Sequence, residues 1–324
     1  MDAKEYPIKK AVITGGSGPI GLALIRKLLE ENVEILLFQR EKSSKRIYLP
    51  KDERLQIEFV ALSELDRFEP ETTDYDVFFH LGWENTGKRE HIEDQHRNLM
   101  YSCTAARLAH RMGCHTFIGV GSQAEYGRKN EPLRNDMLCE PETAYGVVKL
   151  SACYATRNIC NSNGMRHIWT RVLSGYGIFD NIDSMLISNI LKALDGKPMV
   201  FSKGEQIWDF VYLDDIANAL YLLSIKGKAN EIYLVGSGNA RPLKEYIEIM
   251  CEKLGKKDEM KLGTLPYGQK QVMYLAADIS PLQRDTGWSP LVSFEEGIER
   301  VIEFYKEWKV QWEELYRNEC RKCP

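Results

Sequence analysis

The stretch Ala11-Val12-Ile13-Thr14-Gly15-Gly16-Ser17-Gly18-Pro19-Ile20-Gly21 predicts a buried strand that turns directly into a helix. An apolar run ends just before three glycines at every third position, and residues 22–29 continue with helical periodicity. Gly15 permits a tight turn, Gly18 lets an anion approach the backbone, and Gly21 lets helix and strand pack closely. The stretch therefore predicts a loop that binds a phosphate group.

Pro19 and Ile20 belong to the first turn of this predicted helix. A proline fits there because its missing N–H has no intrahelical partner to lose. The free N–H groups and the positive end of the helix dipole favour an anion. Gly15, Gly18, Pro19, Ile20 and Gly21 are therefore candidate cofactor-binding residues.

Strand and helix patterns alternate along the rest of the chain, as in βαβ units. The expected fold is α/β, a Rossmann-type doubly wound parallel sheet with a smaller C-terminal α/β substrate domain. We expect further strands at 33–38, 55–60, 76–82, 116–121 and 231–236, and helices at 93–112, 141–163 and 294–320.

The second predicted strand ends in Gln39-Arg40, and Lys42, Lys45 and Arg46 follow closely. In dinucleotide sites an acidic residue here binds the ribose hydroxyls, whereas an arginine suits a 2′-phosphate. Arg40 therefore favours NADP(H), with NAD(H) as the alternative because Glu41 adds a negative charge. A solvated basic turn is the other interpretation of this segment.

The fourth predicted strand ends in His80-Leu81-Gly82. Gly82 is small enough for a cofactor to lie over the strand end, so Leu81 and Gly82 are also candidate cofactor-binding residues. His80 is interpreted as a packed histidine at the strand end, without a role as acid or base.

The fifth predicted strand continues into Ser122, and the helix after it carries Tyr145 and Lys149. Four residues apart on a helix, Tyr145 and Lys149 share one face. A nearby cation stabilises the phenolate of a tyrosine and lowers its pKa. A Tyr–Lys pair that follows a strand ending in Ser, behind a glycine-rich first turn, forms one constellation with Ser122 and is not a coincidence of three residues.

The order of the glycine motif, Ser122 and the Tyr145–Lys149 pair resembles that of the extended short-chain dehydrogenase/reductase family, whose members act on nucleotide-linked sugars. The likeness covers nearly the whole chain up to about residue 305 and continues through residues 171–177, 208–215 and 278–290. The resemblance implies that Tyr145 is the general acid/base, that Lys149 also holds the nicotinamide ribose, and that Ser122 hydrogen-bonds the substrate oxygen.

The resemblance also implies two domains. Residues 1–175 and 208–238 would bind NADP(H), and residues 176–207 and 239–324 would bind a sugar nucleotide. Cationic or N–H donors are needed for its diphosphate. The candidate substrate-binding residues are Trp83, Asn98, Gln123, Ser174, Tyr176, Lys203, Trp208 and Arg241.

Three branches of the family compete for this chain. Sugar-nucleotide 4,6-dehydratases carry an acidic pair, or at least a Glu, just after the Ser/Thr, where this chain has Gln123 and Ala124, with Glu125 one residue out of register. The 4-epimerases resemble it as well, but usually have an acidic residue near position 40 and an Arg where Trp208 stands. The expected activity is NADPH-dependent reduction of the 4-keto group of a nucleotide-linked 4-keto-6-deoxyhexose, with an NAD-dependent 4-epimerase as the alternative; dehydration and a non-catalytic NADP-binding role are further alternatives.

Composition narrows the class of partner. The net charge of -4 leaves no basic footprint, so no nucleic-acid partner is expected. No apolar run approaches a bilayer-spanning length and residues 1–5 do not form a signal peptide, so we expect a cytoplasmic protein without membrane contact. Cys320 and Cys323 lack a second pair, so no metal is predicted. Family analogy suggests a homodimer through helices 93–112 and 141–162.

Overall fold

The computed structural model describes residues 5–41 and 43–320 of the 324-residue chain. Lys42 of the basic segment and Cys323 of the terminal cysteine pair lie outside the described residues.

In the described part of the chain the strands are β1 (Lys10–Thr14), β2 (Glu34–Phe38), β3 (Leu55–Glu58), β4 (Val77–His80), β5 (Thr116–Ser122), β6 (Arg166–Val172), β7 (Ser174–Tyr176), β8 (Ile207–Trp208), β9 (Phe210–Tyr212), β10 (Ile232–Val235) and β11 (Arg241–Pro242). Seven of these strands form the central parallel sheet, in the order β10-β6-β5-β4-β1-β2-β3. The others form two short two-strand sheets, β7 with β9 and β8 with β11.

Helices cover both faces of this sheet, as a parallel sheet with nearly continuous apolar strands requires. The α-helices are α1 (Pro19–Glu30), α2 (Ile92–Gln95), α3 (Arg97–Arg111), α4 (Ala144–Ser162), α5 (Met185–Leu194), α6 (Leu213–Lys226), α7 (Leu243–Lys253), α8 (Ser280–Thr286) and α9 (Phe294–Cys320). The fold class and the parallel sheet are confirmed.

The strand order places β1 beside β4, and the chain leaves these two strands in opposite directions across the sheet. Ligands of doubly wound sheets bind in the crevice at such a switch point, outside the carboxyl ends of the strands. The carboxyl ends here are Thr14 and His80, which are partners in the β1–β4 register. The switch point therefore coincides with the glycine loop.

One predicted helix is divided. The sequence predicts a single helix over 93–112, whereas α2 ends at Gln95 and α3 begins at Arg97. The Leu99 N–H donates to the carbonyl of His96, and the side-chain amide of Asn98 donates to the carbonyl of Gln95. A side chain that competes for a backbone carbonyl interrupts the helical ladder at this point.

The start of the helix predicted at 141–163 also differs from the prediction. Pro141 lies before α4, because Thr143 is the N-cap and its hydroxyl accepts the Gly146 N–H at 3.1 Å. In the first turn of α6, the buried carboxylate of Asp215 accepts the N–H groups of Leu291 and Val292. Strand and helix limits otherwise agree to within about two residues, and the terminal helix spans 294–320 as predicted.

The C-terminal elements share an apolar core with the sheet. An aromatic group of Tyr176, Phe210, Tyr246 and Phe294 joins β7, β9, α7 and α9, with ring centres 4.6 to 5.8 Å apart. The division into two domains therefore stays a prediction. Within the described ranges, none of the helices has both the length and the apolar character needed to cross a membrane.

Candidate active site

The glycine loop makes a close turn against the end of β4. Gly15 has a φ of +77°, and a Cβ there would lie 2.6 Å from the backbone N of Gly82. A Cβ on Gly21 would lie 2.4 Å from the carbonyl oxygen of Gly15, so helix α1 can approach the loop only with glycine there. Gly18 is the N-cap and Pro19 opens the helix. This is a cradle of backbone N–H groups that fits a dinucleotide phosphate.

Beneath this cradle, a buried chain of hydrogen bonds connects β1, β4 and α3. The Gly82 N–H donates to the Thr14 hydroxyl at 3.2 Å, which lies 2.8 Å from His80 Nδ1, and His80 Nε2 lies 3.0 Å from the Ser102 hydroxyl. Ser102 donates its proton to the carbonyl of Asn98 at 2.8 Å. Ser102 therefore accepts from His80 Nε2–H, which leaves Nδ1 to accept from Thr14.

His80 is therefore a neutral, packed residue, as the sequence indicates. It is 3% exposed, and burial, together with the charge of Lys149, lowers its pKa to about 3. A group that stays neutral at physiological pH has no role as an acid here. Its two hydrogen bonds hold Thr14, and through Thr14 the strand end at Gly82.

The segment 82–91, which we call the β4 loop, is held by two buried amides. The Asn98 amide bonds both the N–H and the C=O of Glu84, at 2.8 and 3.1 Å. The Gln95 amide donates to the carbonyls of Asn85 and Lys88 and accepts the indole N–H of Trp83 at 2.8 Å. Asn98 is 1% exposed, so this candidate substrate residue supports the site from beneath and does not line it.

The three predicted catalytic residues lie together. Burial raises the pKa of Tyr145, whereas the neighbouring Ser122 hydroxyl lowers it because it favours the phenolate. The Lys149 amino group lies 5.8 Å from the centre of the Tyr145 ring and donates to the carbonyl of Val120 at 2.6 Å. Tyr145 is 8% and Lys149 4% exposed, so both act in a largely dry environment.

Burial also controls the charge of Lys149. Removal from water disfavours the ammonium and lowers the pKa of Lys149 to about 7, although the carboxylate of Glu125 favours the charged form. The face of the Trp83 ring lies 3.7 Å from Lys149 Nζ, and a π face attracts a desolvated cation. Trp83, predicted to bind the substrate, thus also contacts Lys149.

Glu125 is fully buried, and its carboxylate accepts hydrogen bonds from three groups of the protein. It accepts the N–H of Ser122 at 2.9 Å, the indole N–H of Trp169 at 3.0 Å and Nε of Arg171 at 2.7 Å. Its neighbours Gln123 and Ala124 have no ionisable group. Ser122 and Glu125 have the Ser-x-x-Glu spacing of a capping box, which indicates the bond between the Glu125 carboxylate and the Ser122 N–H. This signal was missed in the prediction from the sequence.

The segment after β2 folds back on the glycine loop. Phe38 pairs with Thr14 in the sheet, so Arg40, which is exposed, follows the strand next to the loop. The Ser43 hydroxyl lies 3.4 Å from the hydroxyl of Ser17. Arg40 therefore lies where a 2′-phosphate on the adenosine ribose of a bound dinucleotide would reach its side chain.

The remaining candidate substrate-binding residues differ in burial and in their partners. Tyr176 is 1% exposed inside the aromatic group and has no access to the cleft. Arg241 pairs with Glu295 at 3.0 Å and stacks on Tyr246, so its charge is compensated. Half-buried candidates are Gln123 after β5, Ser174 at the start of β7, and Trp208, which pairs with Arg241 between β8 and β11; Lys203 is exposed.

Comparisons with known proteins show which family this chain resembles. The model of the NAD dependent epimerase/dehydratase family matches residues 11–236. Among curated relatives, the dTDP-glucose 4,6-dehydratase of Neisseria meningitidis serogroup B is 26% identical and aligns with 97% of this chain and 98% of its own. That of Salmonella typhimurium is 25% identical and aligns with 91% and 92%.

Solved structures share the fold. The UDP-glucuronic acid 4-epimerase of Bacillus cereus, solved with UDP-glucuronic acid and NAD, superposes with a TM-score of 0.81 at 22% identity, over 92% of this chain and 99% of that one. The dTDP-glucose 4,6-dehydratase of Bacillus anthracis, solved with NAD, gives 0.82 at 19% identity, over 95% and 99%.

These relatives are dehydratases and epimerases, whereas the sequence of this chain favours the reductase branch. The family match covers more than half of the chain and includes the glycine loop, Ser122, Tyr145 and Lys149. The chain belongs to the NAD dependent epimerase/dehydratase family, and the prediction of an oxidoreductase-type enzyme of the extended short-chain dehydrogenase/reductase class is confirmed.

Proposed function

We propose that this enzyme reduces the 4-keto group of a nucleotide-linked 4-keto-6-deoxyhexose with NADPH. One observation carries the proposal: among the residues that the structure describes, no carboxylate next to Ser122 is free to remove water from a sugar. Gln123 and Ala124 occupy the positions of the dehydratase acids, and the carboxylate of Glu125 is bound by Ser122, Trp169 and Arg171. The Tyr145–Lys149 pair remains, and proton transfer at a single carbonyl needs nothing more.

The chain's own residues perform the proton chemistry. The Tyr145 phenol donates its proton to the carbonyl oxygen of the substrate, and the Ser122 hydroxyl donates a hydrogen bond to the same oxygen. The Lys149 ammonium stabilises the phenolate that remains. When bound, the nicotinamide supplies the hydride.

The cofactor fits the residues at the switch point. The loop at Gly15, Gly18 and Gly21, with Pro19 and Ile20, would hold the pyrophosphate, and Gly82 and Leu81 would lie under the nicotinamide half. Lys149 would bind its ribose. Arg40 would pair with a 2′-phosphate, which supports NADPH over NADH.

The sugar nucleotide would contact residues from several elements of the chain. Trp83, Gln123, Ser174 and Trp208 are accessible to a sugar nucleotide, and exposed Lys203 is available to its diphosphate. We assign Asn98, Tyr176 and Arg241 supporting roles, since their polar atoms or rings are engaged within the protein.

We also propose that the enzyme is a cytoplasmic homodimer that pairs through α3 and α4. The two helices pack on each other and expose Met100, Val147 and Tyr154, which are 59%, 42% and 56% accessible. A second copy of the same two helices would cover these side chains. Light scattering on the Tyr154→Lys variant tests this: a dimeric wild type and a monomeric variant are expected, and a monomeric wild type excludes it.

A 4-epimerase is the second candidate, because it uses the same Tyr–Lys pair and equally lacks a dehydratase acid. The two activities differ in how the cofactor is used. An epimerase regenerates tightly bound NAD in every turnover, whereas a reductase consumes exchangeable NADPH.

The deciding experiment is incubation of the purified enzyme with NADPH and a panel of 4-keto-6-deoxyhexoses linked to dTDP, CDP, GDP or UDP. We expect one of them to oxidise NADPH, and the Tyr145→Phe variant to be slower by at least about a hundredfold with nearly unchanged NADPH affinity. Thermal-shift ranking of the free nucleotides identifies the base.

Each contrary outcome points to a named alternative. Interconversion of nucleotide sugars by enzyme that carries bound NAD favours the epimerase. Formation of a 4-keto-6-deoxy product from a nucleotide hexose makes the enzyme a dehydratase. NADPH binding without oxidation by any keto sugar leaves the non-catalytic role.

A further inference from the structure

Arg89 of the β4 loop lies over the ring of Tyr145. The guanidinium carbon lies 4.8 Å from the centre of the Tyr145 ring. The carbonyl of Arg89 accepts the Tyr145 N–H at 2.9 Å, and its Nε donates to the carbonyl of Thr86 at 2.8 Å. The first N–H groups of a helix lack intrahelical partners, so this contact fastens the loop to the start of α4.

The positive charge of Arg89 is not compensated by a carboxylate in the described ranges. Its neighbours in the loop are paired: Lys88 lies 3.9 Å from Asp94, and Glu90 lies 3.3 Å from Lys270. The Arg89 side chain has no such ion pair among the described residues. An unpaired cation beside a phenol favours the phenolate over the neutral form.

We infer that Arg89 is a positioning residue for the reactive tyrosine, a second cation that works with Lys149 to stabilise the Tyr145 phenolate. The two cations approach the ring from different elements, the β4 loop and α4. Lys149 is buried and loses charge readily, whereas an arginine keeps its charge at every relevant pH. Arg89 thus maintains a positive charge beside Tyr145 above the pH at which Lys149 becomes neutral.

Four groups face Tyr145. Arg89 and the Ser122 hydroxyl lower its pKa, Glu125 raises it, and Lys149 approaches from one helical turn away. Burial is the largest influence and raises the pKa. Arg89 is one of the groups that oppose the effect of burial. Its removal should therefore raise the pKa of Tyr145.

The inference concerns a residue of the proposed reductase, but its test does not depend on finding the substrate. Absorbance of the phenolate is titrated in the wild type and in Tyr145→Phe, and their difference isolates Tyr145 from the other tyrosines. The same difference is measured in the Arg89→Gln background. Lys88→Gln is the matched control, because it removes the adjacent charge of the same loop.

We expect Arg89→Gln to raise the pKa of Tyr145 by about half to one pH unit, the range for a cation about 5 Å away near solvent. Arg89→Lys should retain most of the effect, and Lys88→Gln should have none. Because Arg89 is exposed, added salt should raise the pKa in the wild type and much less in Arg89→Gln.

An unchanged pKa in Arg89→Gln, or an equal shift in Lys88→Gln, overturns the inference. With an active keto sugar, the alkaline limb of the reduction rate provides a second measure and should move upward with the phenolate pKa. If no keto sugar is reduced but the phenolate pKa shifts as expected, the proposed function fails and the role of Arg89 stands.

Discussion

The amino group of Lys149 lies 3.7 Å from the centre of the Trp83 ring, and the Trp83 indole N–H is fixed 2.8 Å from Gln95. The Lys149 amino group is therefore enclosed between the backbone carbonyl of Val120 and an aromatic face. A flexible four-carbon side chain is held in one position before any ligand arrives. Both α4 and the β4 loop thus determine where the ammonium stands.

Replacement of Trp83 by Leu should weaken NADPH binding about tenfold, the effect expected for loss of a desolvated cation–π contact. Trp83→Phe keeps an aromatic face and should lose less than about threefold. Isothermal titration calorimetry measures both, with Trp308→Leu on α9 as the control for loss of a tryptophan. Equal affinity in Trp83→Leu and the wild type would contradict a role for the ring.

Lys149→Met should change how stability depends on pH. The native pKa of Lys149 is about 7 and the ordinary value is 10.5, so between these limits the unfolded chain binds a proton that the native protein does not. The wild type should therefore gain stability relative to the variant as pH rises from about 7 to about 10. Urea denaturation across this range tests the prediction, with exposed Lys88→Met as control. A difference that stays constant with pH would show that Lys149 titrates normally.

Glu125→Gln should be severely destabilising. The amide still accepts from Ser122 and Trp169 but leaves the buried Arg171 without a counter-charge, a loss of about 3 to 5 kcal/mol. Glu142→Gln removes the exposed partner of Arg128 and should cost less than about 1 kcal/mol. Chemical denaturation compares the two. If both variants lost a similarly small free energy of unfolding, Glu125 would have no structural role and would again be a candidate acid.

Arg40→Asp should reverse the preference between cofactors. An aspartate repels the 2′-phosphate and accepts hydrogen bonds from ribose hydroxyls, so the ratio of kcat/KM for NADPH to that for NADH should fall at least about tenfold. Arg67→Asp, an exposed arginine outside this region, is the control. If the ratio does not change, the segment after β2 is only solvated surface.

Local patterns predicted the features that depend on neighbouring residues in the chain. The glycine loop, the Tyr145–Lys149 face and the parallel sheet follow from spacing and apolar periodicity. Burial against distant elements has no local signature. Tyr176 was expected to line a cleft, but it lies in an aromatic group that α7 and α9 complete more than sixty residues later.

The β4 loop illustrates the same limit. Its sequence contains charges of both signs and no periodicity, so nothing in it distinguishes Arg89 from Lys88. The difference arises because the Arg89 carbonyl caps α4 and turns its side chain toward Tyr145. Asn98 was expected to bind the substrate, but its side-chain amide bonds the backbone of Glu84 beneath the site.

The buried chain from Gly82 through Thr14, His80 and Ser102 to Asn98 begins at a backbone amide and ends at a backbone carbonyl. Each hydroxyl in it has one donor and one acceptor role, so all its protons point the same way. Neither end can take up or release a proton, and the imidazole resists protonation. This chain is therefore a proton insulator beneath the glycine loop, and in the proposed reaction the proton that Tyr145 donates is not replaced through it.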